Sequence, residues 1–349
     1  MGTGKLGGVM TRTMLSRIIG CGVALGVTLA LASCTTPPDD PSATSPSPTA
    51  TSTATDLPNV PTPTVSQPTA STTLDGVEVT GELGSEPELT VPSPWAINST
   101  TTKIIDQGTG QTVPDAGFIQ VKYVGVNGRT GEVFDNSWTN GVPVSFLLEQ
   151  VVPGFQKGLS GQKVGSRILL AVPGADGYDA RGGQQDVGIE IGDTLVFVVD
   201  IIRTEVTGPI GTTVTPTDTS LPTVTGPTDA PVITIAKNST PPTELVVQPL
   251  IQGSGPAVET IDSVRVNYAE YLWSTGAMVR QSYGFTPLLG ALSETIPGWQ
   301  QALVGQTIGT RLLVIVPPEL AYPEGHPKIG VPKGSTMVFV IDILYAASS

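Results

Sequence analysis

Apolar and polar residues alternate from Phe118 to Val126 (FIQVKYVGV), which puts Ile119, Val121 and Tyr123 on one face of a β-strand. The turn pairs Asn127-Gly128 and Thr130-Gly131 follow, so the next run, GEVFDNSW, reads as a second strand past a hairpin. Val144 to Leu148 is a further short strand. After Pro153 the period changes. Phe155 and Leu159 stand at i and i+4, on one face of a short helix that Gly161 closes. An apolar strand over 166–172 carries one embedded arginine, Arg167, and a Gly- and Asp-rich loop from Gly174 to Gly188 leads to a last strand over 194–202. Antiparallel strands with one short helix predict an α+β domain.

The same pattern then returns. VPGFQKGLSGQKVGSRILLAVP, starting at Val152, aligns without a gap on IPGWQQALVGQTIGTRLLVIVP, starting at Ile296, and half of the positions are identical. Gln107-Gly108-Thr109-Gly110 is echoed by Gln252-Gly253-Ser254-Gly255, Val121-Lys122-Tyr123 by Val266-Asn267-Tyr268, and Thr194-Leu195-Val196-Phe197-Val198 by Thr336-Met337-Val338-Phe339-Val340. The order of landmarks is preserved, as in a duplicated domain. Between the copies, 207–230 is rich in Thr, Pro, Val and Gly and reads as a linker.

The N-terminus reads as a targeting segment. Lys5, Arg12 and Arg17 precede an apolar run from Ile18 to Ala32, too short for a comfortable membrane span. It ends Leu31-Ala32-Ser33-Cys34, which resembles a bacterial lipobox and predicts lipidation of Cys34 after removal of the preceding residues. Acyl chains anchor by burying methylenes, at about 0.8 kcal/mol each. Residues 35–75, mostly Thr, Ser and Pro, then form an extended, disordered tether. The resulting plan is a signal peptide over 1–34, the tether over 35–75, a first domain over 76–206, the linker over 207–230 and a second domain over 231–349.

Composition narrows the chemistry. The net charge of −13 argues against nucleic acid, because phosphate binding needs clustered Lys and Arg. With one histidine, His326, and two cysteines, Cys21 and Cys34, neither a His-based nor a Cys-rich zinc site can be built, and no disulfide framework is available. There is no phosphate-cradling glycine loop followed by Lys-Ser or Lys-Thr, and no HExxH. No metal or other cofactor is expected.

The motifs VKYVG, GEVFDNS, VVPGF, VGSR, GY and TLVF, in that order, resemble an FKBP-type peptidyl-prolyl isomerase domain. The second copy matches through VNYAE, ETIPGW, IGTR, Pro-Glu-Leu-Ala-Tyr, GHP and TMVF. The whole arrangement is similar to secreted tandem FKBP lipoproteins of actinobacterial type. The resemblance implies, for each domain, a curved antiparallel sheet wrapped around a short helix, with an aromatic-lined pocket between them. It implies proline-containing exported polypeptides as partners, macrolide inhibitors as ligands, and an extracytoplasmic enzyme held at the membrane through Cys34. In the first domain the matching site positions are Tyr123, Phe134, Asp135, Val151, Val152, Phe155, Tyr178, Ile189 and Phe197. Phe155 would be the pocket floor and Tyr178 the donor to a substrate carbonyl. Asp135 with Tyr123 would polarise the far wall, and Phe134 and Phe197 would hold the proline ring. In the second domain the matches are Tyr268, Glu294, Ile296, Trp299, Tyr322, Val331 and Phe339, with His326 nearby. Two departures stand out: the floor is Phe155 in one copy and Trp299 in the other, and Phe134-Asp135 is replaced by Val279-Arg280.

The expected chemistry needs no nucleophile. Rotation about an X-Pro bond meets a barrier of about 20 kcal/mol because amide resonance is lost. The twisted amide separates less charge than the planar one, so a dry aromatic cavity favours it over water. Two functions fit this economy: catalysed isomerisation, favoured in the first domain by its Phe-Asp pair, or non-catalytic holding of proline segments as a chaperone or adaptor. A surface adhesin reusing the fold is a third, remoter reading.

Overall fold

The computed structural model describes residues 68–139 and 141–348. The apolar run from Ile18 to Ala32, Cys34 and most of the tether lie outside the described residues. The first domain contains β1 (Glu78–Thr80), β2 (Glu88–Thr90), β3 (Thr101–Asp106), β4 (Phe118–Asn127), β5 (Val133–Asn136), β6 (Val144–Leu147), α1 (Pro153–Leu159), β7 (Arg167–Val172) and β8 (Leu195–Thr204). Apart from the β1–β2 hairpin, its strands form one antiparallel sheet in the order β3-β7-β8-β4-β5, with β6 also paired to β4. β4 and β8 are ten residues each and pair over nearly their full length, which places Tyr123 opposite Val199 and Gly125 opposite Phe197.

Two turns of helix are marginal alone, so α1 depends on packing. It has no side-chain N-cap, and Pro153 sets its first turn. A Cβ on Gly154 would stand 2.2 Å from a Val172 methyl, and one on Gly158 2.4 Å from a Leu170 methyl. These two glycines let α1 sit directly on β7 and push Phe155 into the core, where only 3% of it remains exposed.

The chain continues as β9 (Thr212–Thr213), β10 (Thr223–Thr225), β11 (Val232–Thr234), β12 (Val246–Gln252), β13 (Ser263–Leu272), β14 (Met278–Gln281), β15 (Leu288–Ala291), α2 (Pro297–Leu303), β16 (Arg311–Val316) and β17 (Met337–Ala347). The second sheet runs β14-β13-β17-β16-β12-β9, with β15 on β13. It repeats the first sheet and adds β9.

The hairpins are part of the repeat. Val77 and Val91, which flank β1 and β2, join Trp95 and Ile97 in covering the face of the first sheet opposite α1, against Leu169, Ala171, Val196 and Val198. In the second domain Val224 and Ile233, from β10 and β11, do the same against Leu313, Ile315, Val338 and Val340. The boundary drawn at 230/231 from composition therefore falls inside the β10–β11 hairpin. A three-residue strand with one buried face offers a single apolar side chain, too few to show against Thr, Pro and Gly. Segment 206–214 is also fastened to the second domain: Val206 and Ile210 donate to the carbonyls of Leu344 and Gly309, Val214 donates to Leu250, and β9 pairs with β12.

Each hairpin turn also closes over the embedded arginine. Arg167, fully buried, is bidentate to Asp200 (2.6 and 2.8 Å) and donates to the carbonyls of Gly81 (2.8 Å) and Ser85 (2.6 Å). Arg311 is bidentate to Asp342 (2.6 and 2.7 Å) and donates to the Thr228 carbonyl (2.5 Å). Burying such a pair is tolerable because carboxylate and carbonyls accept from most of the guanidinium's donors in the first domain and from three of five in the second.

The two domains meet along β4, β6 and β8 of the first and β13 and β17 of the second. The Phe118 ring stacks on Tyr345 (5.2 Å, 21°), and the Tyr345 hydroxyl donates to Ser145 Oγ at 3.0 Å. Arg203 donates to the Ala346 carbonyl at 3.0 Å. Arg265 pairs with Glu205 at 2.9 Å and lies over Phe118.

Candidate functional site

In the first domain all nine sequence-nominated positions converge. Tyr123, Val152, Phe155, Tyr178, Ile189 and Phe197 belong to one buried cluster, with Phe134 and Val151 packed on its edge. The Phe155 ring meets Phe197 edge-on (4.7 Å, 88°) and Tyr123 likewise (6.3 Å, 83°), and Phe134 meets Phe197 at 5.5 Å and 86°. Such edge-to-face contacts fix ring orientation beyond simple area burial. Asp135 attaches to the cluster through the Tyr123 hydroxyl, which donates to its Oδ2, while the Asn136 amide donates to Oδ1. Burial raises the Asp135 carboxyl above its ordinary range, against the pull of those two donors. Burial also pushes the Tyr178 hydroxyl up to about 12, so it is a neutral O–H donor at physiological pH. One aromatic was not nominated: Phe146 of β6, whose ring sits on Phe155 at 5.9 Å and 65°. The alternation of 144–147 carried that signal.

The second site has the same frame and a different wall. Trp299 is the floor, with Tyr268 (5.4 Å, 76°) and Phe339 (5.5 Å, 83°) edge-on to it. A cavity of about 370 Å³ opens here, lined by Tyr268, Arg280, Glu294, Ile296, Trp299, Tyr322 and Phe339, together with Leu288, Leu289 and Gly290 on β15. Val331 packs in the core cluster beside it. The His326 ring meets Tyr322 edge-on at 5.5 Å. Neither Val331 nor His326 lines the cavity.

Two exchanges explain the difference. β6 and β15 occupy equivalent places: Phe146 pairs with Ile119, and Gly290 with Val264. Where the first domain lays Phe146 on its floor, the second has no side chain, and a Cβ added to Gly290 would meet nothing within 4 Å. The second exchange couples three positions. A Cβ at Gly125 would stand 2.8 Å from the Phe134 ring and 2.9 Å from Phe197, so Phe134 requires a glycine beneath it. The second domain has the smaller Val279 at the Phe134 position and, in the space released, Glu270 at the Gly125 position.

Glu270 changes what the Val279-Arg280 pair means. The sequence put a lone cation where the first site has a carboxylate. The structure pairs that cation across the strands: Glu270, fully buried, accepts from Arg280 Nε. Arg280 Nη2 donates to the Tyr322 hydroxyl at 2.8 Å, and the guanidinium lies over the Tyr268 ring at 5.7 Å. Tyr322 thus accepts from Arg280, and its own proton lies within the pull of the buried Glu270 carboxylate. Burial and the Glu270 carboxylate push that hydroxyl up to about 12, against Arg280.

Comparison with known proteins identifies a family. The profile of the FKBP-type peptidyl-prolyl cis-trans isomerases matches residues 110–202 and 255–344. A protein of Corynebacterium glutamicum, named "Probable FK506-binding protein", is 35% identical over 117 residues, 34% of this chain and 97% of that protein. An FK506-binding protein of Streptomyces anulatus is 37% identical over 119 residues, 34% of this chain and 95% of that protein. The peptidyl-prolyl cis-trans isomerase FkpA of Escherichia coli is 35% identical in its crystal structure, at a TM-score of 0.28, covering 30% of this chain and 47% of that one. With two matched segments that together make up just over half of its length, this chain belongs to the FKBP-type peptidyl-prolyl cis-trans isomerase family. The segments that carry the hairpins, before 110 and over 203–254, lie outside the match.

Proposed function

We propose that the first domain isomerises X-Pro bonds in exported polypeptides, acting without a covalent step. The observation that carries this is the Phe155 floor ringed by Tyr123, Phe134 and Phe197, with the Tyr178 hydroxyl free of any hydrogen bond to the described residues. A proline ring held edge-on by these aromatics leaves bulk water. The amide then loses resonance in a medium that disfavours charge separation. Tyr178 donates to a carbonyl of the bound segment and fixes its orientation, while the far end remains able to rotate. Asp135, held by Tyr123, presents negative field along the opposite wall. Uncatalysed isomerisation takes tens to hundreds of seconds, long enough to limit folding of a newly exported chain. The N-terminal residues support placing this activity outside the membrane, anchored at Cys34 after signal removal.

The second domain holds proline-containing segments in its open cavity, with Tyr322 as donor. Whether it also turns them over depends on how firmly Arg280 restrains Tyr322, so a binding and chaperoning role is the second reading for this site. The names of the relatives support a macrolide as competitor at either site.

The test is an NMR exchange measurement of prolyl peptide isomerisation by the full chain, with Tyr178→Phe and Tyr322→Phe made separately. A hydrogen bond worth about 0.5–1.5 kcal/mol predicts that Tyr178→Phe lowers kcat/KM about two- to tenfold with folding intact. Exchange no faster than the uncatalysed rate for the unsubstituted chain would refute the catalytic reading of both domains.

A further inference from the structure

We propose that the second site selects proline-containing segments with an acidic side chain beside the proline, and that Arg280 is the residue that selects them. The inference rests on the reading of this cavity as a proline-segment site and adds its substrate class. Arg280 lines the cavity from β14, and 44% of its side chain is exposed. Two of its three nitrogens are committed, Nε to Glu270 and Nη2 to the Tyr322 hydroxyl. Those two bonds, with the Tyr268 face beneath, fix the plane of the guanidinium and leave Nη1 without a hydrogen bond to the described residues. Nη1–H and the Tyr322 O–H therefore stand on one wall as neighbouring donors. A backbone carbonyl satisfies the hydroxyl. A carboxylate on the adjacent residue accepts a charge-assisted hydrogen bond from Nη1.

Three other charges bear on the selection. Glu270 compensates Arg280, but its side chain is wholly buried behind the guanidinium, so a ligand in the cavity meets the positive end of the pair. Glu294 also lines the cavity, from the turn before α2, and is exposed. It opposes an acidic ligand through solvent, where screening is strongest. At the equivalent place on the other domain the carboxylate Asp135 faces the site, held by Tyr123. The two sites therefore carry side chains of opposite charge at equivalent places beside their aromatic floors.

The experiment uses the full chain labelled with ¹⁵N. The indole N–H signal of Trp299, assigned by its disappearance in Trp299→Phe, reports occupancy of this cavity and not of the other. Peptides differing only in Glu, Gln or Lys beside the proline are titrated at an ionic strength of about 0.01 M and again at about 1 M, where the Debye length falls to roughly 3 Å. The expected result is Glu bound about fivefold more tightly than Lys at low salt, with Gln between, as befits a half-exposed ion contact. The ratio should collapse at high salt. It should approach one in Glu270→Gln/Arg280→Gln, which neutralises both partners and leaves no buried charge orphaned, and survive in Arg280→Lys. Equal affinities for Glu and Lys at low salt, or a preference that persists in the double variant, would overturn the inference while leaving the site a proline binder. Failure of all three peptides to move the Trp299 signal would overturn the binding reading itself.

Discussion

Gly290→Phe should close the second cavity. Gly290 is a strand residue on β15 with empty space where its Cβ would be, and it lines the cavity above Trp299. Its counterpart Phe146 lies on Phe155 at 5.9 Å, so a phenyl here has a template for its position. A cavity that holds one aromatic ring measures about 150 Å³, roughly two-fifths of the 370 Å³ available, and that share lies directly over the floor. Burying a phenylalanine contributes about 1.5–3 kcal/mol, and replacing glycine within a strand removes a further penalty of about 0.5–1 kcal/mol. Lost rotamer freedom offsets roughly 0.5–1 kcal/mol of this. The variant should therefore be more stable by about 1–3.5 kcal/mol and blind to ligand at this site. Thermal unfolding measures the first effect. Titration with a proline peptide, followed at the Trp299 indole signal, measures the second. A variant that is stabilised yet still shifts Trp299 with unchanged affinity would refute the assignment of this cavity as the binding site. One that loses stability would refute the claim that the space above Trp299 is open.

Two further outcomes follow from charged groups outside the two aromatic sites. Asp193 accepts from Arg129 at 2.8 and 3.0 Å and from Asn127 at 2.8 Å. Burial alone would raise its carboxyl, but Arg129 and the amides of Glu190 and Asn127 outweigh it and hold it below the usual range. A carboxyl depressed in the folded state contributes stability above its unfolded value, near pH 4, and loses it as pH falls through the folded value. Asp193→Asn should therefore flatten the acid limb of urea stability curves below about pH 4; an unchanged acid limb would count against this network. At the domain boundary, Arg265→Met leaves Glu205 buried with only the Phe118 amide as donor. Breaking such a pair costs about 3–5 kcal/mol, and limited proteolysis should reach 207–211 faster than in the unsubstituted chain. Equal cleavage rates would mean that the Phe118–Tyr345 stack and the backbone bonds hold the domains together unaided.

What the sequence determined by itself was whatever repeats locally. Strand alternation, the Pro-Gly-aromatic helix start, the embedded arginine and the order of aromatic landmarks are short-range patterns. The duplication made each visible twice, and with them went the family and the nine positions that converge on Phe155. Other features depend on residues far apart in the chain meeting across strands. Arg280 looked like a lone cation because its partner, Glu270, is a β13 residue with no mark in the sequence until register sets it opposite. The open floor of the second site reflects an exchange of Phe146 for Gly290, legible only once β6 and β15 are seen to occupy the same place. The Thr- and Pro-rich stretch before the second domain covers a sheet face with Leu221, Val224, Ile233 and Ile235, spaced too unevenly for any periodicity to reveal. The contact of Tyr345 with Phe118 and Ser145 joins residues some 200 positions apart. Periodicity reports which face of an element is buried. Only tertiary structure decides what it is buried against, and here that choice gave two copies of one fold different walls around the same aromatic floor.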